Sequence, residues 1–232
     1  MIQLRPSASR GHADHGWLLA RHSFSFGDYV DPAEMGWGVL RVINEDRIAP
    51  GQGFPTHAHR DMEIITYVLE GSLEHRDSLG NGEVIRPGEV QRMSAGSGIR
   101  HSEFNPSPNE ATHLLQIWIE PREQGIAPDY EQQWLAPGCN AWRLIASPEA
   151  AEGSTTIHQD ARLHAALLSP EATLDYALDP QRLAYVHLVR GHLLLNGIDM
   201  HTGDGAKISA ESSLRFVAGE ASEVLLFDLP PR

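Results

Sequence analysis

Two short segments carry side chains that can close around one metal ion. The first is Thr56-His57-Ala58-His59-Arg60-Asp61-Met62-Glu63, and the second is Gly98-Ile99-Arg100-His101-Ser102-Glu103-Phe104-Asn105. Residues two apart on a strand point to the same face. His57 and His59 can therefore both point inward, and His101 and Glu103 repeat the arrangement. Three imidazoles and one carboxylate, with positions left for water or substrate, suit Fe(II) and also Mn, Ni or Cu. Glu63 has the right parity relative to His59, so spacing alone leaves both Glu63 and Glu103 open as the carboxylate ligand.

The elements around these segments read as strands. Residues 39–48 alternate apolar and polar. Residues 63–75 are rich in Ile, Thr, Tyr, Val and Leu, which predicts a strand or a bent pair broken at Gly71. Gly80-Asn81-Gly82 is a hairpin turn signal. Arg86-Pro87-Gly88-Glu89 places Pro and Gly at the centre of a type II turn. Residues 112–120 form another strand. His22-Ser23-Phe24-Ser25-Phe26 alternates strictly, which predicts a half-buried edge strand with Phe24 and Phe26 on one face. His12, His15 and His22 are too irregularly spaced to argue for a second metal site.

Composition agrees with an all-β architecture. The 232 residues include 21 glycines and 15 prolines, which implies many turns and short elements, and 41% hydrophobic residues, enough for a substantial core. The formal net charge is -13, with no Lys/Arg-rich run, which argues against direct nucleic-acid binding. An acidic surface instead suits a protein partner. Cys139 is the one cysteine. It cannot form an intrachain disulfide and is expected as a loop or core thiol, compatible with a reducing cytoplasm. No apolar signal-peptide core or membrane-length run is present, so the expectation is a soluble cytoplasmic protein without membrane association.

The last third looks like a degenerate repeat of the first half. Residues 67–73 resemble residues 187–193, and residues 115–121 echo residues 224–230, with residues 121–136 read as a linker. The repeat fails at the chemistry. Ala177-Leu178-Asp179 stands where the first half has His-x-His, and Leu214-Arg215-Phe216 stands near the position of His101 and Glu103. One metal site is therefore expected, in the N-terminal half. His158, His164, His187, His192 and His201 are expected as surface or hydrogen-bonded histidines.

The pattern Gly51-x5-His57-x-His59-x3-Glu63-x7-Gly71 resembles the first motif of the cupin superfamily, with the last spacer one residue long. Gly98-x2-His101-x3-Asn105 resembles the core of the second motif, although Gly96 replaces its common proline. Within the cupins, the chain resembles the pirins. The likeness rests on residues 22–29, 40–46, 53–63 and 93–103 and extends over nearly the whole length. It implies a bicupin of two jelly-roll β-barrels in tandem: residues 1–125 with the metal site and residues 126–232 without one. It implies His57, His59, His101 and Glu103 as metal ligands, with Glu63 structural or orienting an imidazole N–H. It implies one divalent transition metal, Fe(II) foremost, with Mn, Ni, Cu or Zn as alternatives.

The bacterial pirins that this chain resembles are flavonol (quercetin) 2,3-dioxygenases, which open the heterocycle with O2 and release carbon monoxide. That implies a planar aromatic substrate, with Glu103 also acting as the base for its 3-hydroxyl. Phe24, Phe26, Phe54 and Trp118 are candidates to line its pocket or to pack the core. Other pirins are described as metal-dependent, redox-sensing regulators of protein partners, and that is the alternative reading. A cupin isomerase acting on a sugar phosphate would draw on Arg60, Arg92 and Arg100, but the pirin signatures argue against it.

Overall fold

In the computed structural model, which describes residues 1–231, the chain is built almost entirely of β-strands with two short 3-10 turns. The strands form two barrels, the expected bicupin. In the first, a seven-stranded sheet runs in the order Asp129–Trp134, Glu89–Ser94, Glu63–Glu70, Thr112–Ile119, Leu40–Ile48, Leu18–His22 and Gly11–Asp14. A four-stranded sheet faces it, ordered Gly53–His59, Ile99–Phe104, Leu73–Asp77 and Gly82–Ile85. The second barrel repeats the plan. Its four-stranded sheet holds Thr173–Ala177, Ser213–Ala218, His192–Leu195 and Ile198–His201, against an eight-stranded sheet centred on Leu183–Arg190 and Ser222–Leu229.

The two large sheets pack face to face. Ile43, Ile65, Leu115 and Ile117 from one meet Leu163, Tyr185, Leu225 and Phe227 from the other in a single buried cluster. Both faces of each central strand are therefore covered. This explains why Glu63–Glu70 reads as a nearly continuous apolar run rather than an alternating one.

Inside the barrels the cores differ. The C-terminal barrel holds one continuous apolar cluster, including Leu188, Leu193, Leu195, Leu214 and Phe216. The N-terminal barrel holds two smaller clusters, one around Ile48, Val68, Leu73 and Ile85 and the other around Ile64, Met93 and Ile99. Between them lies a band of buried polar residues that includes Asn44, Asp46, His75, His101, Glu103 and Gln116.

Most turns fall where the sequence puts them. The chain bends at Gly71 between Glu63–Glu70 and Leu73–Asp77. Glu89 N–H donates to the Arg86 carbonyl at 2.9 Å, with Gly88 at φ 90°, closing the Pro-Gly turn. The proline-to-glycine change at Gly96 also has a cause: a Cβ there would lie 2.2 Å from the Ile126 carbonyl oxygen.

Two expectations of strand and linker placement are corrected. The edge strand ends at His22. Beyond it, Arg5 Nε binds the Ser23 carbonyl at 2.8 Å and Ser25 Oγ binds the Asp31 carbonyl at 2.9 Å, so side chains satisfy a backbone that has left the ladder. Phe24 and Phe26 part company accordingly. The segment 121–136 is not simply a linker. Asp129–Trp134 pairs with Glu89–Ser94 in the first barrel, where the fully buried Arg92 guanidinium holds Asp129 at 2.8 Å and Glu131 at 2.9 Å. At the other end of the chain's first barrel, Ile2–Arg5 pairs with Gly205–Ser209 in the second barrel. Cys139 is exposed, in a two-residue parallel pairing with Arg162–Leu168. No helix among the described residues is long and apolar enough to cross a membrane.

His187 departs from its expected surface or hydrogen-bonded role. It is 1% exposed and its Nδ1 has no hydrogen-bond partner. Burial, then the nearby Arg10 charge, pushes its imidazole down to about 3, against a weaker opposing pull from Glu45. The folded chain thus binds fewer protons at this site than the unfolded chain. Its contribution to stability is full above the ordinary histidine value near 6.5 and falls as pH drops toward 3. Urea unfolding of the metal-free protein across pH 7 to 4 should show that decline. In His187→Leu, the slope should shrink by roughly one proton.

Candidate metal centre

His57 and His59 stand on Gly53–His59, and His101 and Glu103 stand on the adjacent Ile99–Phe104. The register sets His101 directly opposite His57 and Ile99 opposite His59. Between His101 and Glu103 the register slips, so that Glu103 faces Phe54. Opposite Ser102 the bulge takes in Thr56 and, next to it, Pro55. Pro55 has no N–H to offer the ladder, which makes it a natural bulge position.

The pairing brings three imidazoles together. His57 Nε2 and His101 Nε2 lie 3.0 Å apart, and the rings of His57, His59 and His101 have centroids 4.5 to 4.8 Å from one another. One nitrogen from each residue falls within 4.8 Å of the others. Two nitrogens bound to one cation at about 2.1 Å and at right angles would themselves be about 3.0 Å apart. The spacing therefore fits neighbouring ligands of one divalent metal.

The protonation states fit as well. Burial, reinforced by the neighbouring histidines, lowers His59 to about 4 and His101 to about 2. Both are neutral at physiological pH, and a neutral imidazole has a lone pair to give. Hydrogen bonds direct that lone pair. His57 Nδ1 sits 2.8 Å from the Pro55 carbonyl, which can only accept, so Nδ1 carries the proton and Nε2 is free. A relay does the same for His101. Asp77 Oδ2 accepts from His75 Nε2 at 3.0 Å, which leaves His75 Nδ1 to accept from His101 Nδ1 at 3.3 Å. His101 Nε2 is then also free. Tyr130, from the strand after the first barrel's last hairpin, stacks on His75 with centroids 4.8 Å apart and locks the ring plane.

Glu103 is placed differently from the three imidazoles. It clusters within 4.8 Å of His101 and His75, and its Oε1 accepts from Gln116 Nε2 at 2.7 Å. Burial raises its carboxyl to about 7, while Gln116 pulls the other way. A buried carboxyl beside this imidazole cluster is a place that a cation would stabilise. Asp46, at the floor of the same cavity, is raised to about 7 by burial and then by the charges of Glu103 and Glu45.

Glu63 is fully buried but faces away from these rings. Its carboxylate accepts from Ser94 Oγ at 2.8 Å and lies 3.4 Å from His158 Nδ1. The orienting role expected of Glu63 falls instead to Pro55, His75 and Asp77. The pair His75-x-Asp77 had a legible signal, since period-two spacing puts both on one face.

The site opens on a cavity of about 350 Å3. Its apolar wall is Phe26, Phe54, Pro55, Ile64 and Trp118, and its floor holds Asn44, Asp46, Glu103 and Gln116. Trp118 stands edge-on to His59 at 5.0 Å and to Phe26 at 5.3 Å. Of the aromatic residues expected at the pocket, Phe26, Phe54 and Trp118 line it. Phe24 does not: it is buried between the barrels against Tyr185 at 5.3 Å.

The family match decides what kind of protein this is. Residues 3–119 match the family described as Pirin, and residues 144–229 match the quercetinase C-terminal cupin domain. The chain belongs to the pirin family. It is 51% identical, over the full length of both chains, to a quercetin 2,3-dioxygenase of Escherichia coli (strain K12). It is 43% identical to a pirin-like protein of Caulobacter vibrioides, covering 98% of this chain and 99% of the relative. Among solved structures, a bacterial pirin from Escherichia coli in complex with nickel(II) superposes with a TM-score of 0.96, at 50% identity and complete coverage of both chains.

The hydrogen-bonded relay has a testable consequence. His75→Phe and Asp77→Asn remove the group that fixes the His101 tautomer, and each should weaken Ni(II) binding about 10- to 100-fold in a competition titration. Glu63→Gln, on the far side of its strand, should leave that affinity largely unchanged.

Proposed function

We propose that this pirin is a metal-dependent flavonol (quercetin) 2,3-dioxygenase. The observation that carries the reading is the convergence of three imidazoles on an aromatic-walled slot, beside a buried carboxylate. Relatives named as quercetin 2,3-dioxygenases support it. His57, His59, His101 and Glu103 are the proposed ligands of one divalent transition metal, Fe(II) first, with Mn, Ni, Cu and Zn also compatible with the donor set. When bound, the metal supplies Lewis-acid stabilisation to an anionic substrate oxygen and a meeting point for O2.

The chain's own residues do the rest. Phe26, Phe54 and Trp118 offer edges and faces to a flat aromatic ligand and keep water from it. Asn44 and Asp46 put polar groups at the cavity floor, where phenolic hydroxyls need partners. Glu103 accepts the proton of the flavonol 3-hydroxyl. Gln116 donates to its Oε1 and so fixes how the carboxylate faces the cavity. The proposed overall reaction consumes one flavonol and one O2. Both oxygen atoms enter the ring-opened ester, and one ring carbon leaves as carbon monoxide.

The test is quercetin turnover by protein loaded anaerobically with each metal in turn, following loss of flavonol absorbance and release of carbon monoxide. Turnover should vanish in His101→Ala. In Glu103→Gln carrying measured metal, it should fall by about 100-fold or more. No carbon monoxide from fully loaded protein with any of these metals would overturn the proposal in favour of a metal-sensing, partner-binding pirin.

A further inference from the structure

The C-terminal barrel lacks ligands at its cupin position, but it carries a second cluster of metal-binding side chains on its outer surface. It lies on the hairpin of His192–Leu195 and Ile198–His201. Along these strands Leu193, Leu195 and Met200 point into the core, so His192, Asp199 and His201 point out. The register pairs His192 directly with His201, and Asp199 is two residues from His201 on the same face.

The side chains converge rather than merely lie close. His192 Nε2 binds Asp199 Oδ1, and His201 Nε2 lies 3.3 Å from Asp199 Oδ2. The two imidazoles stack with centroids 4.9 Å apart. One donor atom from each of the three residues falls within 4.8 Å of the other two. The seat for His192 is built. A Cβ at Gly219 would come within 2.3 Å of His192 Nδ1, so glycine alone leaves room for the ring. Ser222 Oγ receives the His192 N–H at 3.1 Å and donates to the His192 carbonyl at 3.0 Å, which fixes the backbone beneath it.

We propose that His192, Asp199 and His201 form a second site, for a late first-row divalent cation such as Zn(II), Ni(II) or Cu(II). Two imidazole nitrogens and a carboxylate on one face are a donor set these ions accept, with the remaining positions open to water. Both His–Asp contacts give way to metal–ligand bonds with short side-chain rotations, because Asp199 and His201 are largely exposed. The chain's net charge of -13 raises the local concentration of cations at its surface. The site is on the outside of a different barrel from the cupin centre, so it stands whether or not that centre turns over flavonols.

The experiment is a calorimetric titration of the metal-free full chain with Zn(II), repeated on His201→Ala and Asp199→Asn. The wild type should bind two equivalents, the weaker in the micromolar range. Both variants should keep the first and lose the second. Cu(II) added to protein already holding its first metal should give an electron paramagnetic resonance signal with nitrogen hyperfine structure, absent in His201→Ala. A single equivalent in the wild type, or a second that survives in both variants, would overturn the proposal.

Discussion

Inside the N-terminal β-barrel His101 and Glu103 are buried and His57 and His59 half-buried, so they lose much of the water that would solvate them, and buried polar groups need other partners. That requirement shapes the N-terminal barrel. Pro55 supplies a carbonyl to His57, His75 a ring nitrogen to His101, and Gln116 an amide to Glu103. These polar groups divide the barrel's apolar interior into two minor clusters. The second barrel gives the comparison within one chain. Leu195 and Phe216 pair there as His75 and Glu103 do in the first, and Leu214 and Tyr176 pair as His101 and His57 do. With apolar residues in most of those places, the core closes into one mass. The apolar contact between the two large sheets joins the polar-centred barrel to one with a continuous interior.

Orientation matters as much as proximity. An imidazole can present either nitrogen, and the wrong tautomer points a proton at the cavity. Pro55 and the Asp77–His75 pair remove that freedom for His57 and His101 before any ligand arrives. His59 has no such hydrogen bond described, and is held by the edge of Trp118, a wall of the substrate-sized cavity. Ring position and cavity shape are thus coupled at one of the three histidines.

Much of this was legible because strand chemistry repeats every two residues. Spacing alone puts His57 with His59, and His101 with Glu103, on one face of a strand, and in the second half both pairs are missing where the barrel interior is apolar. What escaped was set by contacts between distant segments. Alternation at Phe24 and Phe26 mimicked a strand, but Arg5 and the Ser25–Asp31 turn claimed the backbone. Proline and glycine in residues 121–136 suggested a linker, yet the buried charge of Arg92 draws Asp129 and Glu131 into a sheet. Glu63 has the right parity, and only the likeness to the pirins sets it aside as a ligand; what parity does not show is that Ser94 and His158 hold it on the other side of its strand. His75 and Asp77 were readable by the same rule as the ligands, but sat in a stretch that also read simply as strand.

The exchanged strands bear on how the chain reaches this state. Ile2–Arg5 pairs with Gly205–Ser209, with Ile2 opposite Ile208, so one sheet edge joins segments far apart in the sequence. Such long-range closure is entropically slow. Asp129–Trp134 ties the midpoint of the chain back into the earlier barrel. Neither barrel is therefore a separable cassette. Each barrel borrows an edge from a segment that lies beyond the rest of its own strands in the sequence.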